Sequence, residues 1–372
     1  MTNRENALAI LRYQNYERLP LVHFGYWYET LDKWCAQGHI SKAEAEGWGD
    51  GNEFDESIAR KLGFDFNWYN VFSPITGLYP AFERTIVEEL SDGKRKVLNK
   101  YGVIELESDR AGSIPAEIGY TLVDRKSWEE QYKPRMMFTQ DRVDIKKLSA
   151  LPMVNERENP IGLFCGSLFG VIRNWMGVTG VSCLSAEDED LYTEIIDTVA
   201  EISYKTISKA LLSGVVFDFA HFWEDICFKN GPLVVPSVFD EKVGPHYKKI
   251  TTLLNEHGID IISLDCDGLI DFLIPTWIEN GVNTMFPIEV GTWDASIAPW
   301  REKYGKELRG VGGMRKYVFA LDYPDIDREI ERLKPLVDLG GFIPCPDHRI
   351  APDAKWENVQ YYCEKMRNLF TV

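Results

Sequence analysis

The sequence is poor in the features that most redox and nucleic-acid motifs need. It holds six histidines and seven cysteines in 372 residues, and no two cysteines stand as CxxC. The cysteines (Cys35, Cys165, Cys183, Cys227, Cys266, Cys345 and Cys363) are odd in number and widely spaced, which argues against a disulfide framework. Free thiols in a reducing cytoplasm are the expectation. Basic residues are outnumbered: 41 Lys and Arg against 58 Asp and Glu leave a formal charge of −17. Such a charge repels nucleic acid and anionic membrane surfaces, so neither is an expected partner. No run of about 18 apolar residues could cross a bilayer, and no basic, apolar leader is recognised at the N-terminus. P-loop, GxGxxG, HExxH and GxSxG signatures are all missing.

What the chain has is apolar mass and rhythm. Hydrophobic residues make up 45% and aromatic residues 13%, ample for a large core. Short buried runs alternate with helical stretches: Arg18–Gly25, Phe64–Val71, Ile161–Gly166, Gly214–Phe222, Asp260–Asp267, Asn283–Glu289, Leu308–Met314 and Gly341–His348. Eight strands separated by helices predict an α/β protein, a (β/α)8 TIM barrel, in preference to an open doubly wound sheet. Between Phe82 and Val123 the texture changes to alternation, a turn at Ser91-Asp92-Gly93, and alternation again. That pattern predicts an antiparallel hairpin flap, with Tyr101–Glu107 and Tyr120–Asp124 as further strands. The chain thus reads as one domain over 1–372 with a β-rich insertion at about 82–124.

In such a barrel the C-terminal strand ends share one mouth, where the chemistry resides. Those ends supply Asp218, His221, Trp223, Glu224 and Asp225, then Asp265, Cys266 and Asp267, then Glu289, Arg315 and Lys316, and last Cys345, Asp347 and His348. Carboxylates gathered in a low-dielectric mouth repel, so some are protonated or a cation sits among them. Two chemistries fit: a divalent ion with an open position, or a general acid with raised pKa beside His348. His348, Asp267, Glu289, Glu224 and Lys316 are the candidate catalytic residues. Asp265, Asp347, His221, Trp223, Trp68 and Tyr69 are the candidate substrate contacts. The candidate metal set is His348, Glu289 and Asp267.

Plainer roles stand beside these. Asp265 and Asp267 also suit caps for a following helix, and Glu289 suits an ion pair with Arg315 or Lys316. His221 suits a structural histidine packed by Phe219 and Phe222. Trp68 and Trp223 suit a core, and Cys266 and Cys345 suit small buried residues. His23, His39, His246 and His257 read as surface or loop residues.

The order of motifs resembles the uroporphyrinogen decarboxylase superfamily. Asn3-Arg4-Glu5-Asn6-Ala7-Leu8 followed by Glu17-Arg18-Leu19-Pro20 is similar to its opening helix and first strand. His348-Arg349-Ile350-Ala351-Pro352 with Glu357-Asn358 is similar to its C-terminal His-Gly-Ile-x-Pro…Glu-Asn segment. Gly281-Val282-Asn283, Phe286-Pro287-Ile288-Glu289, Tyr304-Gly305-Lys306 and Gly312-Gly313 resemble the later strands of a bacterial branch.

The resemblance implies a (β/α)8 barrel and one of two activities. True decarboxylases act on a tetrapyrrole without a cofactor, gripping its carboxylates with an arginine-bearing motif. The corresponding stretch here, His23 to Glu29, contains no arginine. The other branch comprises cobalamin-dependent methyltransferases, which move a methyl group between a small substrate and a corrinoid protein. Many of these use zinc, and Asp265-Cys266-Asp267 and His348 stand near the places of their ligands. The resemblance therefore implies a methyltransferase with a corrinoid-protein partner and a zinc ion. The runners-up are decarboxylation and a non-catalytic corrinoid or tetrapyrrole carrier. The enzyme is expected in the cytoplasm, and a homodimer is an admissible assembly.

Overall fold

A computed structural model describes residues 1–91, 93–107 and 115–370. Asp92, in the expected hairpin turn, lies outside the described residues. The strands are β1 (Val22–His23), β2 (Phe66–Asn67), β3 (Val71–Phe72), β4 (Thr85–Glu89), β5 (Arg95–Leu98), β6 (Val103–Glu107) and β7 (Ala116–Tyr120). They continue with β8 (Gly162–Gly166), β9 (Phe219–Trp223), β10 (Cys227–Phe228), β11 (Gly231–Pro232), β12 (Ile262–Asp265), β13 (Thr284–Phe286), β14 (Arg309–Met314) and β15 (Phe342–Pro346). Every expected buried run contains a strand.

A seven-stranded sheet runs in the order β15-β14-β13-β12-β9-β8-β3. All its pairings are parallel. Between its strands lie helices such as Glu189–Leu211, Gly244–Glu256 and Tyr323–Asp338. Parallel strands covered by helices are buried on both faces, and β12 and β15 are buried at every residue. β1 pairs in parallel with β2 as a separate two-stranded sheet. Past the strand ends the first and last strand regions meet at a parallel bridge between Tyr26 and Ile350. There Ile350 N donates to Gly25 O at 3.0 Å, and Trp27 N donates to Ile350 O at 3.2 Å. The structure shows a central parallel sheet with helices, but not a sheet closed strand to strand.

Two strands are shorter than the apolar pattern suggests, for backbone reasons. β1 follows Pro20, which has no N–H, and the chain turns at Gly25, where φ is +84°. β13 stops at Pro287, beyond which Ile288 takes a left-handed φ of 54°.

The insertion is a four-stranded antiparallel sheet, β4-β5-β6-β7. Its last strand ends at Tyr120, ahead of the expected Tyr120–Asp124, because Asp124 instead caps the next helix by accepting from Ser127 N at 2.7 Å. The flap rests on the helix Gly170–Glu187 at Gly177, where φ is +70° and the helix kinks. A Cβ there would stand 2.6 Å from the Tyr120 ring. Among the described residues no helix is long and apolar enough to cross a membrane.

Candidate active site

Strand periodicity aims the site. On β9, Phe219, His221 and Trp223 share one face, and Ala220 and Phe222 the other, with Glu224 next on that second face. The first face looks into the barrel-like interior. Trp68 stacks on Phe219 with centroids 4.4 Å apart and donates Nε1 to Ser263 Oγ at 3.1 Å. Ser263 Oγ also lies 3.1 Å from His221 Nδ1. Above this layer, Tyr69 stands edge-on to His221 at 4.6 Å and parallel to Phe24 at 5.4 Å. The hydroxyl of Tyr69 then donates to Asp265 at the end of β12.

Beyond Asp265 the chain places Asp267 at the mouth. His348 Nε2 approaches Asp267 Oδ2 at 3.5 Å. The tautomer follows from the other ring nitrogen: His348 Nδ1 lies 2.8 Å from the Arg349 amide and accepts from it. A neutral imidazole that accepts at Nδ1 carries its proton on Nε2, toward Asp267. Trp27 stacks on the His348 ring at 5.3 Å and 14°, and Phe24 contacts it at 5.5 Å, so the ring is held between aromatic neighbours. Asp267 Oδ1 is buried and has no hydrogen-bond partner among the described residues. A capping aspartate would spend its oxygens on helix amides, and Asp267 spends neither oxygen that way.

Asp265 is buried at 4% exposure. Burial first, then the charge of Asp267, pushes its pKa well up, while the Tyr69 hydrogen bond works the other way. The like charge of Asp267 disfavours ionised Asp265. Asp225 stands nearby in a left-handed conformation, φ 48°. Burial raises its pKa, and Arg173, 3.1 Å from Oδ2, opposes the rise. Burial lowers the pKa of Lys316, against the pull of Asp347, Asp267 and Glu289. The outer pocket holds about 230 Å3, with Arg173, Asp225, Phe228, Asp267, Glu289 and Thr292 among its walls.

Several expected site residues have other work. Glu224 faces away from the mouth and is fully buried. It accepts from Ser167 Oγ at 2.8 Å, Leu168 N at 2.9 Å and Phe169 N at 3.0 Å, and also from Gly170 N and the Tyr247 hydroxyl. It anchors the start of the helix Gly170–Glu187 and is closed to substrate. Asp347 is likewise buried and accepts from Val290 N at 3.0 Å, Gly291 N at 2.6 Å and Lys316 N at 3.1 Å, tying three loops together. Trp68 is core, as its stacking on Phe219 shows. His221 is fully buried, and burial drives its pKa to about 3, so it is a neutral core group. Trp223 is half-buried at the mouth.

Glu289 accepts from Gly268 N at 2.8 Å and from the Thr292 hydroxyl. Its expected partner Arg315 pairs instead with Asp294 and Glu329. The candidate metal set is therefore not assembled: among the described residues no group of three or more His, Cys, Asp or Glu is placed to hold a metal ion. His23, expected at the surface, is buried in β1 with Nε2 4.0 Å from Asp55 Oδ2.

Two mouth residues escape a reading of strand ends. Arg173 lies inside a helix, three residues after the turn that Glu224 anchors, and no motif marks it. Arg349 follows His348 directly, so its position was the available signal. It forms a two-pronged pair with Asp50 at 3.0 and 2.7 Å and passes close to Gly25, where a Cβ would stand 2.5 Å from its Nη1.

Gly170 offers a test of the anchored turn. A Cβ there would stand 1.7 Å from Glu224 O, a clash with backbone that no rotamer relieves. Gly170→Ala is expected to cost about 3 kcal/mol or more, read as a lowered midpoint in thermal or urea unfolding.

No family model and no curated protein matches this chain. Among solved structures, a methyltransferase from Methanosarcina mazei superposes with a TM-score of 0.60 and 16% sequence identity, covering 99% of each chain. A B12-independent methionine synthase from Shewanella sp. superposes with a TM-score of 0.49 and 11% identity, over 95% of this chain and 98% of its own. The first of these likenesses covers 99% of each chain and shows a shared fold.

Proposed function

We propose that the chain is a methyltransferase that removes a methyl group from the oxygen or sulfur of a small substrate held at the mouth. The observation that carries this reading is the Asp265–Asp267 pair, with Tyr69 on the buried member and His348 on the outer one. Breaking a methyl–oxygen bond leaves the electron pair on oxygen, and a proton delivered there makes the leaving group neutral. The methyl carbon passes to a nucleophile. Burial and the neighbouring charge of Asp267 favour the protonated form of Asp265, which is what a general acid requires. His348 directs its Nε2 proton at Asp267 and orients it. Trp27, half-buried at the mouth, offers a flat apolar face for an aryl or similarly apolar body. The eight strand regions and the Tyr26–Ile350 bridge are consistent with a (β/α)8 barrel around this site.

The acceptor we propose is a corrinoid carried by a partner protein, as the superfamily resemblance implies. The open mouth, with Trp27 on its wall and Phe228 at its rim, suits a flat apolar macrocycle. When bound, the corrinoid supplies the nucleophile for the methyl carbon. Zinc does not fit the side chains as arranged: Asp347 is held by three amides, Glu289 by the Gly268 amide and the Thr292 hydroxyl, and the Lys316 ammonium lies in the field of the same carboxylates. No step is assigned to a metal.

The test is demethylation of a panel of methyl ethers and thioethers with reduced cobalamin, followed by mass spectrometry of the demethylated product. Turnover of at least one donor is expected. No turnover with any of them, together with loss of carboxylates from uroporphyrinogen, would overturn the reading.

The pH dependence carries a sign. A raised carboxyl pKa favours the neutral form. The linked stability is full below the unfolded pKa and is lost as pH rises through the folded pKa. Activity that needs the proton falls over the same upper range. Removing the Tyr69 hydroxyl removes a bond that favours ionised Asp265, so Tyr69→Phe is expected to move the alkaline limb of kcat/KM to higher pH. A limb that stays in place or moves down would assign the proton elsewhere.

A further inference from the structure

One cavity lies at the other end of the sheet from the mouth, beside the N-terminal ends of β8 and β9. It holds about 620 Å3 and is walled by residues before β8 and β9 and by the first helix, including Arg4, Leu151, Met153, Val154, Arg157 and Val216. Most of that wall is apolar, and two guanidinium groups interrupt it. Both rest on one buried carboxylate: Arg4 Nε is 2.7 Å from Asp218 Oδ1, and Arg157 Nη1 is 3.5 Å from Asp218 Oδ2. Asp218 is also held by Ile161 N at 2.9 Å, so it is fixed in place.

The charge does not close. Two arginines share one aspartate, and the Arg157 side chain is only 2% exposed. Arg157 also spends Nε on Pro152 O and Nη1 on Val216 O. Its Nη2, like both terminal nitrogens of Arg4, meets no acceptor among the described residues. Glu5 lines the cavity too, but its carboxylate is turned to the amide of Thr2 at the helix cap, 2.8 Å away. Like charges brought together in a partly buried place are stabilised by an anion between them, and guanidinium forks suit planar or tetrahedral oxyanions. The apolar walls beside those forks suit a hydrocarbon body.

We infer that this cavity is a second ligand site, separate from the mouth, for a small amphiphilic anion whose carboxylate or phosphate lies on Arg4 and Arg157 and whose apolar part lies along Leu151, Met153 and Val216. The experiment is isothermal titration of the full chain with octanoate and octyl phosphate, with octanol and acetate as controls. Octanoate or octyl phosphate is expected to bind at one site, with octanol and acetate at least about tenfold weaker, because each lacks one half of the recognition. Whichever of the two anions binds more tightly identifies the oxyanion. Arg4→Gln is expected to weaken binding about tenfold. Val216→Asp, at a half-exposed wall position where folding is not at stake, is expected to weaken it at least as much by placing a carboxylate against the ligand. No measurable binding of either anion, equal binding of octanol, or binding unchanged in Val216→Asp would each overturn the site.

Discussion

Asp267→Asn is expected to lower kcat/KM for demethylation by about 10²–10⁴-fold while leaving the unfolding midpoint nearly unchanged. The two halves of that expectation come from separate observations. The side chain of Asp267 is 30% exposed, and Oδ1 has no hydrogen-bond partner among the described residues, so the fold loses little with its charge. Its charge is also what helps to hold the proton on Asp265, and the Asn side chain cannot supply it. Removing the charge lets the pKa of Asp265 fall, so the surviving activity is expected at lower pH than in the parent enzyme. His348→Ala leaves the pair in place but unoriented, and its loss is expected to be smaller. A large fall in stability for Asp267→Asn, with activity per folded molecule retained, would return Asp267 to a structural role.

Glu224→Ala is expected to show the opposite pattern: loss of the fold ahead of loss of chemistry. The carboxylate receives five hydrogen bonds, three of them from consecutive amides at the start of one helix. Truncation leaves those buried donors without an acceptor, at a cost of about 3–5 kcal/mol. In a chain of this size that is a fall in midpoint of about 4–6 °C. Glu224→Gln keeps one acceptor oxygen but turns an NH2 toward donors, so an intermediate loss is expected. If Glu224→Gln were fully stable and inactive, Glu224 would belong to the chemistry and not to the frame.

The contrast between these two residues shows what the sequence made legible. The strand regions were readable because parallel strands covered by helices are buried along their whole length and rich in apolar residues, as in Phe342–Pro346. The flap was readable from its alternation, though its last strand was placed too late because the capping role of Asp124 was missed. The site was readable only in part. Strand ends named Asp265, Asp267 and His348, which the fold brings together with Tyr69. They also named Glu224 and Asp347, which lie at strand ends yet turn their carboxylates onto backbone amides.

Period-two alternation carried a signal that separates some of these. Phe219, His221 and Trp223 face inward, so Glu224 must face out. For Asp347 no such rule helps, since its role depends on loops that approach from Val290 and Lys316. His23 was misplaced because a polar residue in a two-residue strand leaves no pattern, and its burial comes from Phe64 and Tyr26 packed on either side. Arg173 was invisible because it acts from a helix, and helical position alone does not tell which residues reach a mouth built by strands.

The measurement that bears most directly on the central claim is the methyl-transfer assay run side by side on the parent chain and Asp267→Asn, with reduced cobalamin as acceptor and the demethylated product counted. Product from the parent chain and a fall of about 10²-fold or more in the variant is the expected result. Equal product from both proteins, or none from the parent with any donor, would contradict it.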